Sequence, residues 1–376
     1  MKEIFIVVSS LKTGGAEMQS VWLANNFTKN NFKTNLIVLK QGIEIGHLLD
    51  KKVNLIEFNM YVNKPDKSFR ILRILYNFYS AYKNFRFLLK KNNEAIVFSF
   101  LFHSNVLSFL SSLFLSNKHY LCIRNDRFSS RASIKNLKIR YLIVFIISLF
   151  SSGLIFNSRK SLKTLGTQFP KLTKKYFIPN SVFIPQELED KEVAKKITNF
   201  LNKTELSILS VGRLEKLKNY ENLIKAIENM VRRDTNVKYI IFGQGYLEEK
   251  LNNYIQSNNL TNNILLLGLV PNAYNYYKYF NYFIIASLHE GYPNSLIEAM
   301  DNELTVFGTD CGDTFEIIDN NRGIKIDGFE SEDIKNTLIS YFSKKEVQSS
   351  ISLNANKYVK SELSDKAVFS KWLDLL

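Results

Sequence analysis

The sequence predicts an α/β protein built as two modules, each a parallel sheet with helices on both faces. Three observations carry this. Short apolar runs alternate with helix-length stretches along the whole chain, the pattern of repeated βα units. Several runs end in glycine-bearing loops that open a helix, as at Gly14-Gly15 and Gly291. The charge also divides. Residues 1–185 hold 28 Lys+Arg against 8 Asp+Glu, a net +20, and residues 186–376 hold 22 against 27, a net −5. A uniformly lysine-rich composition would raise both halves, so the asymmetry suggests two modules with different partners. With 376 residues, 45% of them hydrophobic and 23% charged, the chain is long enough for two domains with sizeable cores.

Taken in order, residues 2–8 form a continuous apolar run, suited to a buried parallel strand. The run is short and ends in Ser, Lys and Gly, so it reads as a strand and not a signal peptide. Ser9 to Glu17 then opens a helix through Phe27, a start that can cradle a phosphate or form a simple tight turn. Strands are expected at 35–39, 54–58, 95–100, 120–123 and 153–156. Residues 67–91 read as a basic amphipathic helix. Ile71, Leu75, Phe78, Tyr82, Phe85 and Leu89 share one face, Arg73, Lys83, Arg86 and Lys90 lie mostly elsewhere, and the segment has no acidic residue. Two readings stay open for it, docking on an anionic membrane surface and packing on the sheet with a solvated basic face. Residues 141–156 are the most apolar run, shorter than the ~20 residues that span a bilayer. They read as a buried helix leading into a strand, with insertion into a membrane interface as the less favoured reading. Residues 178–182 close the first half, and a charged linker is expected to about residue 202. The second half restarts with strands at 206–211, 237–242, 264–267, 282–286, 304–309 and 323–326. Helices are expected at 220–231, 246–256, from 294, at 331–343 and at 345–360, before a last segment around Trp372. Cys122 and Cys311 lie far apart without metal spacing, which suits a reducing compartment.

The chemistry concentrates in residues 287–300, SLHEGYPNSLIEAM. An apolar strand precedes this stretch and helix formers follow, so it reads strand, glycine loop, helix N-terminus. Such a loop aims N–H groups and the positive end of a helix dipole at an anion. Glu290 stands in the loop, and Glu298 on the first turns of the helix can turn back toward the same ligand. Donors for an anion flanked by two hydroxyl acceptors suit a sugar joined to phosphate. A solvated loop with a dipole-favoured glutamate would share the spacing. Arg213 and Lys218 follow another strand, and a forked donor beside a point charge is a natural pair for a diphosphate. Two surface cations at a turn would look the same.

The pattern E-G-x-P-N-x-x-x-E, from Glu290 to Glu298, resembles the paired-glutamate motif of retaining GT-B glycosyltransferases of family 4. Gly14-Gly15-Ala16-Glu17 is similar to that family's first loop. Gly212-Arg213-Leu214 with Lys218 is similar to its G-R-L-x-x-x-K, and Gly243-Gln244-Gly245-Tyr246-Leu247 to its G-x-G-x-L turn. Leu267-Gly268 resembles the segment that contacts the base. Residues 178–182 resemble the family's exit from the first domain, with Asn180 retained and Ser181 in place of glycine. Asp313 departs from the usual Gly-Gly.

The resemblance implies two Rossmann-like domains facing across a cleft, at 1–185 and 203–360, with a C-terminal helix at about 361–376 packing back on the first. It implies that Arg213 and Lys218 neutralise the leaving nucleoside diphosphate, that Glu298 holds the ribose and that Glu290 faces the transferred sugar. Gly14, Gly15, Asn180, Gly212, Gly243, Leu267, Tyr292, Pro293, Asn294, Ser295 and Leu296 complete the substrate contacts. His103 and Asp126, each just past a strand, are rivals for a place facing the donor sugar. The implied activity is retaining transfer of a hexose or N-acetylhexosamine from a UDP-sugar to a lipid-linked or surface-polysaccharide glycan. Charge and amphipathicity add an anionic membrane surface, peripheral at the cytoplasmic face. A GT-B UDP-sugar epimerase is one alternative. A basic nucleic-acid-binding protein is another, although no nucleic-acid motif is present, so no nucleic-acid partner and no cofactor are expected.

The sequence has neither D-x-D nor HExxH, so positive charge from Arg213, Lys218 and a helix N-terminus is expected where a metal could stand. Sugar transfer should therefore persist in EDTA. Activity that vanishes in EDTA and returns with Mg²⁺ or Mn²⁺ would contradict this.

Overall fold

A computed structural model describes residues 2–12, 14–61, 70–124, 134–184, 189–202, 204, 206–343 and 348–376. The chain divides into two compact units, Met1–Phe183 with Asp365–Leu376, and Ile184–Ser364.

The first unit holds a seven-stranded sheet. Its strands are β1 (Glu3–Val8), β2 (Lys33–Lys40), β3 (Asn54–Tyr61), β4 (Ile96–Phe100), β5 (Lys118–Ile123), β6 (Gly153–Phe156) and β7 (Lys175–Phe177). They lie side by side in the order β3-β2-β1-β4-β5-β6-β7, paired in parallel. The second unit holds β8 (Leu206–Val211), β9 (Val237–Phe242), β10 (Ile264–Gly268), β11 (Tyr282–Ile285), β12 (Thr305–Thr309) and β13 (Ile324–Ile326). Their order is β10-β9-β8-β11-β12-β13, again parallel. Each unit is thus a Rossmann-like parallel sheet, and strand order reverses beside β1 and β8. At such switch points the loops past the strands' carboxyl ends diverge and leave room for a ligand.

Because side chains alternate along a strand, β1 feeds two cores. Ile4, Ile6 and Val8 pack with Val21, Trp22 and Phe27 of the helix Gly15–Lys29 and with Trp372. Phe5 and Val7 pack on the other side with Ala81, Phe85 and Leu89 of the helix Arg70–Lys91. The last helix, Asp365–Leu373, closes the first side of this sheet. Its Trp372 is buried edge-on to Phe98, with ring centroids 5.1 Å apart. Its first residue, Asp365, receives the Trp22 indole N–H at 2.6 Å and the Ser181 hydroxyl at 3.0 Å through one carboxylate oxygen. A carboxylate there also meets the positive end of the helix dipole.

Several expectations change. The stretch assigned to a charged linker contains the helix Lys191–Leu201, capped by the Asp190 side chain on the Glu192 N–H. Its buried Ala194, Ile197 and Leu201 keep helical spacing, which the surrounding charges obscured. β7 adds a strand to those expected, since three half-buried residues leave no periodic signal. On the helix Arg70–Lys91, Phe78, Tyr82, Phe85 and Leu89 face the core, whereas Leu75 is exposed. Arg86 donates to the carbonyls of Ser111 and Leu113 at 3.1 and 2.8 Å, so it braces a loop and is not a free surface cation. The apolar helix Ile134–Leu149 is only half buried: Val144 and Ile147 enter the core, and Leu142, Ile146 and Leu149 do not.

The Asp365 contacts set one expectation. Asp365→Ala removes a charged acceptor from a buried indole N–H and should cost about 1.5–3 kcal/mol. Urea unfolding followed by circular dichroism should show an earlier first transition, and an unchanged midpoint would mean that the anchor carries no load.

Candidate active site

The carboxyl ends of β8 and β11 lie beside each other in the second sheet, and the loops that leave them are joined. The Leu288 N–H donates to the Leu217 carbonyl at 2.8 Å. This brings Lys218, at the end of a short 3₁₀ turn, onto the loop that carries Glu290. The Lys218 ammonium donates to Glu290 Oε1, and the Ser287 hydroxyl donates to the same oxygen at 2.8 Å. Both charged side chains are largely enclosed, at 21% and 14% exposure, so water screens the pair less than a surface bridge. A small pocket beside them is lined by Ser210, Lys218, Tyr220, Ala286 and Ser287.

Supporting contacts fix this geometry. Gly312 has φ +54°, and a Cβ there would lie 2.4 Å from the Gly291 carbonyl oxygen and 2.6 Å from that of Glu290. Only glycine permits that approach. The Asp313 N–H also donates to Gly291 O at 3.3 Å, so residues 312–313 hold the glutamate loop through backbone. Gly243, at φ +157°, lies so close to Gly212 that a Cβ would fall 1.9 Å from its carbonyl oxygen. Leu214 meanwhile exchanges backbone bonds with Gln244 and Leu247. The Gly243 N–H reaches the Gly268 carbonyl at 2.7 Å, which draws the Leu267 segment to the same edge.

The helix Asn294–Asp301 begins after Pro293 with no side-chain cap. Tyr292, Pro293 and Leu296 are buried and seat this turn, with Asn294 and Ser295 less enclosed. Glu298 takes a hydrogen bond from the Tyr277 hydroxyl at 3.1 Å, and the same hydroxyl lies 3.3 Å from the Ser295 carbonyl. Burial raises the Glu298 pKa to about 7, opposed by the Tyr277 bond and assisted by Asp301 nearby. Arg213 is more exposed and pairs with Glu215 at 2.8 Å. Gly212, Arg213, Lys218, Gly243, Leu267, Glu290, residues 292–296 and Glu298 thus share the carboxyl-end rim of the second sheet.

In the first unit, Gly14, Gly15, His103 and Asn180 lie past the carboxyl ends of that unit's own strands. Gly14 precedes the helix Gly15–Lys29 with extended backbone, and the Met18 N–H donates to its carbonyl at 2.9 Å. His103 sits in the first turn of the helix Phe102–Ser112, two residues past Leu101 at φ +71°. A branched residue in that region is strained by about 1–3 kcal/mol. Burial, then Lys40 and Arg140, lower the His103 pKa and so favour its neutral ring. Asp126 lies outside the described residues. Three residues of these rims lie outside the site expected from sequence. Ser287 and Tyr277 hold the two glutamates. Arg124, buried between Phe100 and Trp372 at 4.8 and 5.6 Å, donates to the Asn180 side-chain oxygen. Ser287 adjoins the motif and could have been suspected, whereas Tyr277 comes from a tyrosine-rich 3₁₀ stretch with no distinguishing spacing.

The family model described as glycosyl transferases group 1 matches residues 190–358. An uncharacterized glycosyltransferase of Methanocaldococcus jannaschii is 31% identical over 199 residues, 52% of this chain and 49% of that protein. The N-acetylgalactosamine-N,N'-diacetylbacillosaminyl-diphospho-undecaprenol 4-alpha-N-acetylgalactosaminyltransferase of Campylobacter jejuni is 30% identical over 313 residues, 82% of this chain and 81% of that enzyme. Anabaena HepE, solved with UDP and glucose, superposes with a TM-score of 0.80 at 17% identity, covering the whole of both chains. That likeness concerns the fold, which is GT-B. With identity to the Campylobacter enzyme sustained over four fifths of both chains, this chain belongs to the group 1 glycosyl transferases.

Proposed function

We propose that the chain is a retaining, family 4 glycosyltransferase that moves a hexose or N-acetylhexosamine from a UDP-sugar to a lipid-linked or surface-polysaccharide glycan. The observation that carries this reading is the meeting of Lys218 and Glu290 beside an uncapped helix N-terminus, with Glu298 on that helix. The supports from outside are the UDP and glucose held by HepE and the undecaprenol-linked substrate in the Campylobacter enzyme's name. A name that describes transfer also favours transfer over epimerisation.

In this reading Lys218 leaves Glu290 for the diphosphate, joined by Arg213 and by the N–H groups at the start of the helix Asn294–Asp301. Glu298 accepts from the ribose hydroxyls and Glu290 from the transferred sugar. The bond from the anomeric carbon to the diphosphate breaks, and the acceptor oxygen bonds to the same face of that carbon. The departing phosphate oxygen takes the acceptor's proton. The protein supplies position and charge stabilisation. The first unit takes the acceptor, with Gly14, Gly15 and Asn180 on its rim and His103 or Asp126 near the donor sugar. The enzyme works peripherally at the cytoplasmic face of a bacterial membrane and needs no cofactor.

The two glutamates should separate in experiment. Losing a charged partner costs about 1.5–3 kcal/mol, so Glu298→Ala should weaken UDP binding roughly ten- to a hundredfold. Glu290→Ala should leave UDP binding near the parent's and lower turnover instead. Titration calorimetry beside a transfer assay reads both, and two variants that bind and turn over like the parent would exclude this site.

Glu298 also sets a pH dependence. Its raised pKa means that the carboxylate form, the better acceptor, grows in as pH rises through about 7. UDP affinity of the parent should therefore rise across that interval relative to Glu298→Gln, which cannot ionise. Comparing the two cancels the titration of UDP itself. Parallel curves would remove Glu298 from ribose binding.

A further inference from the structure

We infer that the outer faces of two neighbouring helices, Arg70–Lys91 and Ile134–Leu149, form one docking face for an anionic lipid bilayer. The inference rests on the membrane-side acceptor proposed above and adds the residues that would seat the first unit.

The two helices flank Phe102–Ser112 on the same side of the first sheet. Phe85 and Leu89 of one share a core with Leu107, and Val144 and Ile147 of the other pack near Val106 and Phe109. With those inward stripes buried, each helix still carries a second apolar stripe. On the first, Leu72, Leu75, Tyr76 and Tyr79 are exposed at spacings of three and four. On the second, Ile139, Leu142, Ile146 and Leu149 repeat that spacing. Both sets therefore lie on single helical faces. The stripes end in Phe87 and Phe150, and the loop between them holds Phe114 at φ +60° and 91% exposure. Large apolar side chains exposed in this number mark a surface that meets something.

The charges choose the occupant. The three helices carry nine Lys and Arg, of which Arg86 is held by the Ser111 and Leu113 carbonyls, and no Asp or Glu. Some cations sit against the exposed rings, Lys83 5.5 Å from Tyr79 and Lys91 4.4 Å from Phe87. Aromatic rings with cations beside them match the apolar edge and anionic headgroups of a bilayer leaflet. A second copy of this chain would bring the same positive charge to the contact and be repelled. None of the described helices is long and apolar enough to cross a membrane, so the helices would lie in the interface.

The test uses the full chain with vesicles of phosphatidylcholine, alone or containing phosphatidylglycerol. The parent should sediment with the anionic vesicles, less so as salt rises. Leu142→Gln/Ile146→Gln and Leu75→Gln/Tyr76→Ser should each weaken that binding about tenfold or more. Their UDP affinity should match the parent's, since they lie outside the unit that carries the donor site. Cys122 and Cys311 are buried, so a Leu142→Cys chain can be labelled there with an environment-sensitive dye. Its emission should shift to the blue with anionic vesicles. Variants that sediment like the parent, an unshifted dye, or equal binding to neutral vesicles would overturn the inference. So would a parent that dimerises without lipid and becomes monomeric in the Leu142/Ile146 variant, which would assign the face to a second copy. Loss of UDP binding in the parent would count against the proposed activity and leave the docking result standing.

Discussion

The candidate site depends on one ion pair formed between distant parts of the chain. Lys218 and Glu290 are 72 residues apart, and no local preference brings them together. They meet because β8 and β11 run parallel as neighbours and release their loops at one edge. The hydrogen bond from Leu288 to Leu217 then sets the distance between the loops, and Gly312 supports the glutamate from behind through a contact that no larger residue permits. A parallel sheet with its order reversed beside β8 is therefore part of the chemistry, since a different strand order would part the lysine from the glutamate.

Lys218 and Glu290 balance each other's charge within the protein. The ammonium and carboxylate neutralise each other in a poorly screened place, which avoids leaving either one buried and unpaired. In the proposed reading a diphosphate takes over the lysine, and the freed glutamate accepts from a hydroxyl. Glu298 follows a different rule. Burial governs it, opposed by the Tyr277 hydrogen bond, and pushes its carboxyl up to about 7. Two glutamates of one motif thus have different electrostatics, in keeping with the separate roles proposed for them.

The fold was largely legible because its signals are local. Residues 220–231 and 237–242 carry complete helix and strand patterns, and Tyr220–Val231 and Val237–Phe242 form over those residues. The site motifs were legible as spacing, since glycine, glutamate and lysine positions survive as a pattern. What escaped depends on contacts. Tyr277 reaches Glu298, and Arg124 reaches Asn180, only after the sheets form. The helix Ile134–Leu149 misled for a related reason. Hydrophobicity alone cannot say whether an apolar side chain meets protein, lipid or another chain, and half of this helix remains outside the core.

The central claim is that this rim of the second unit takes the donor by exchanging the lysine's partner. A crystal structure of the chain with a bound UDP-sugar tests it most directly. The account predicts Lys218 within hydrogen-bond distance of a diphosphate oxygen and away from Glu290, with Glu290 on a sugar hydroxyl and Glu298 on the ribose. A nucleotide bound elsewhere, with Lys218 still on Glu290, would contradict it.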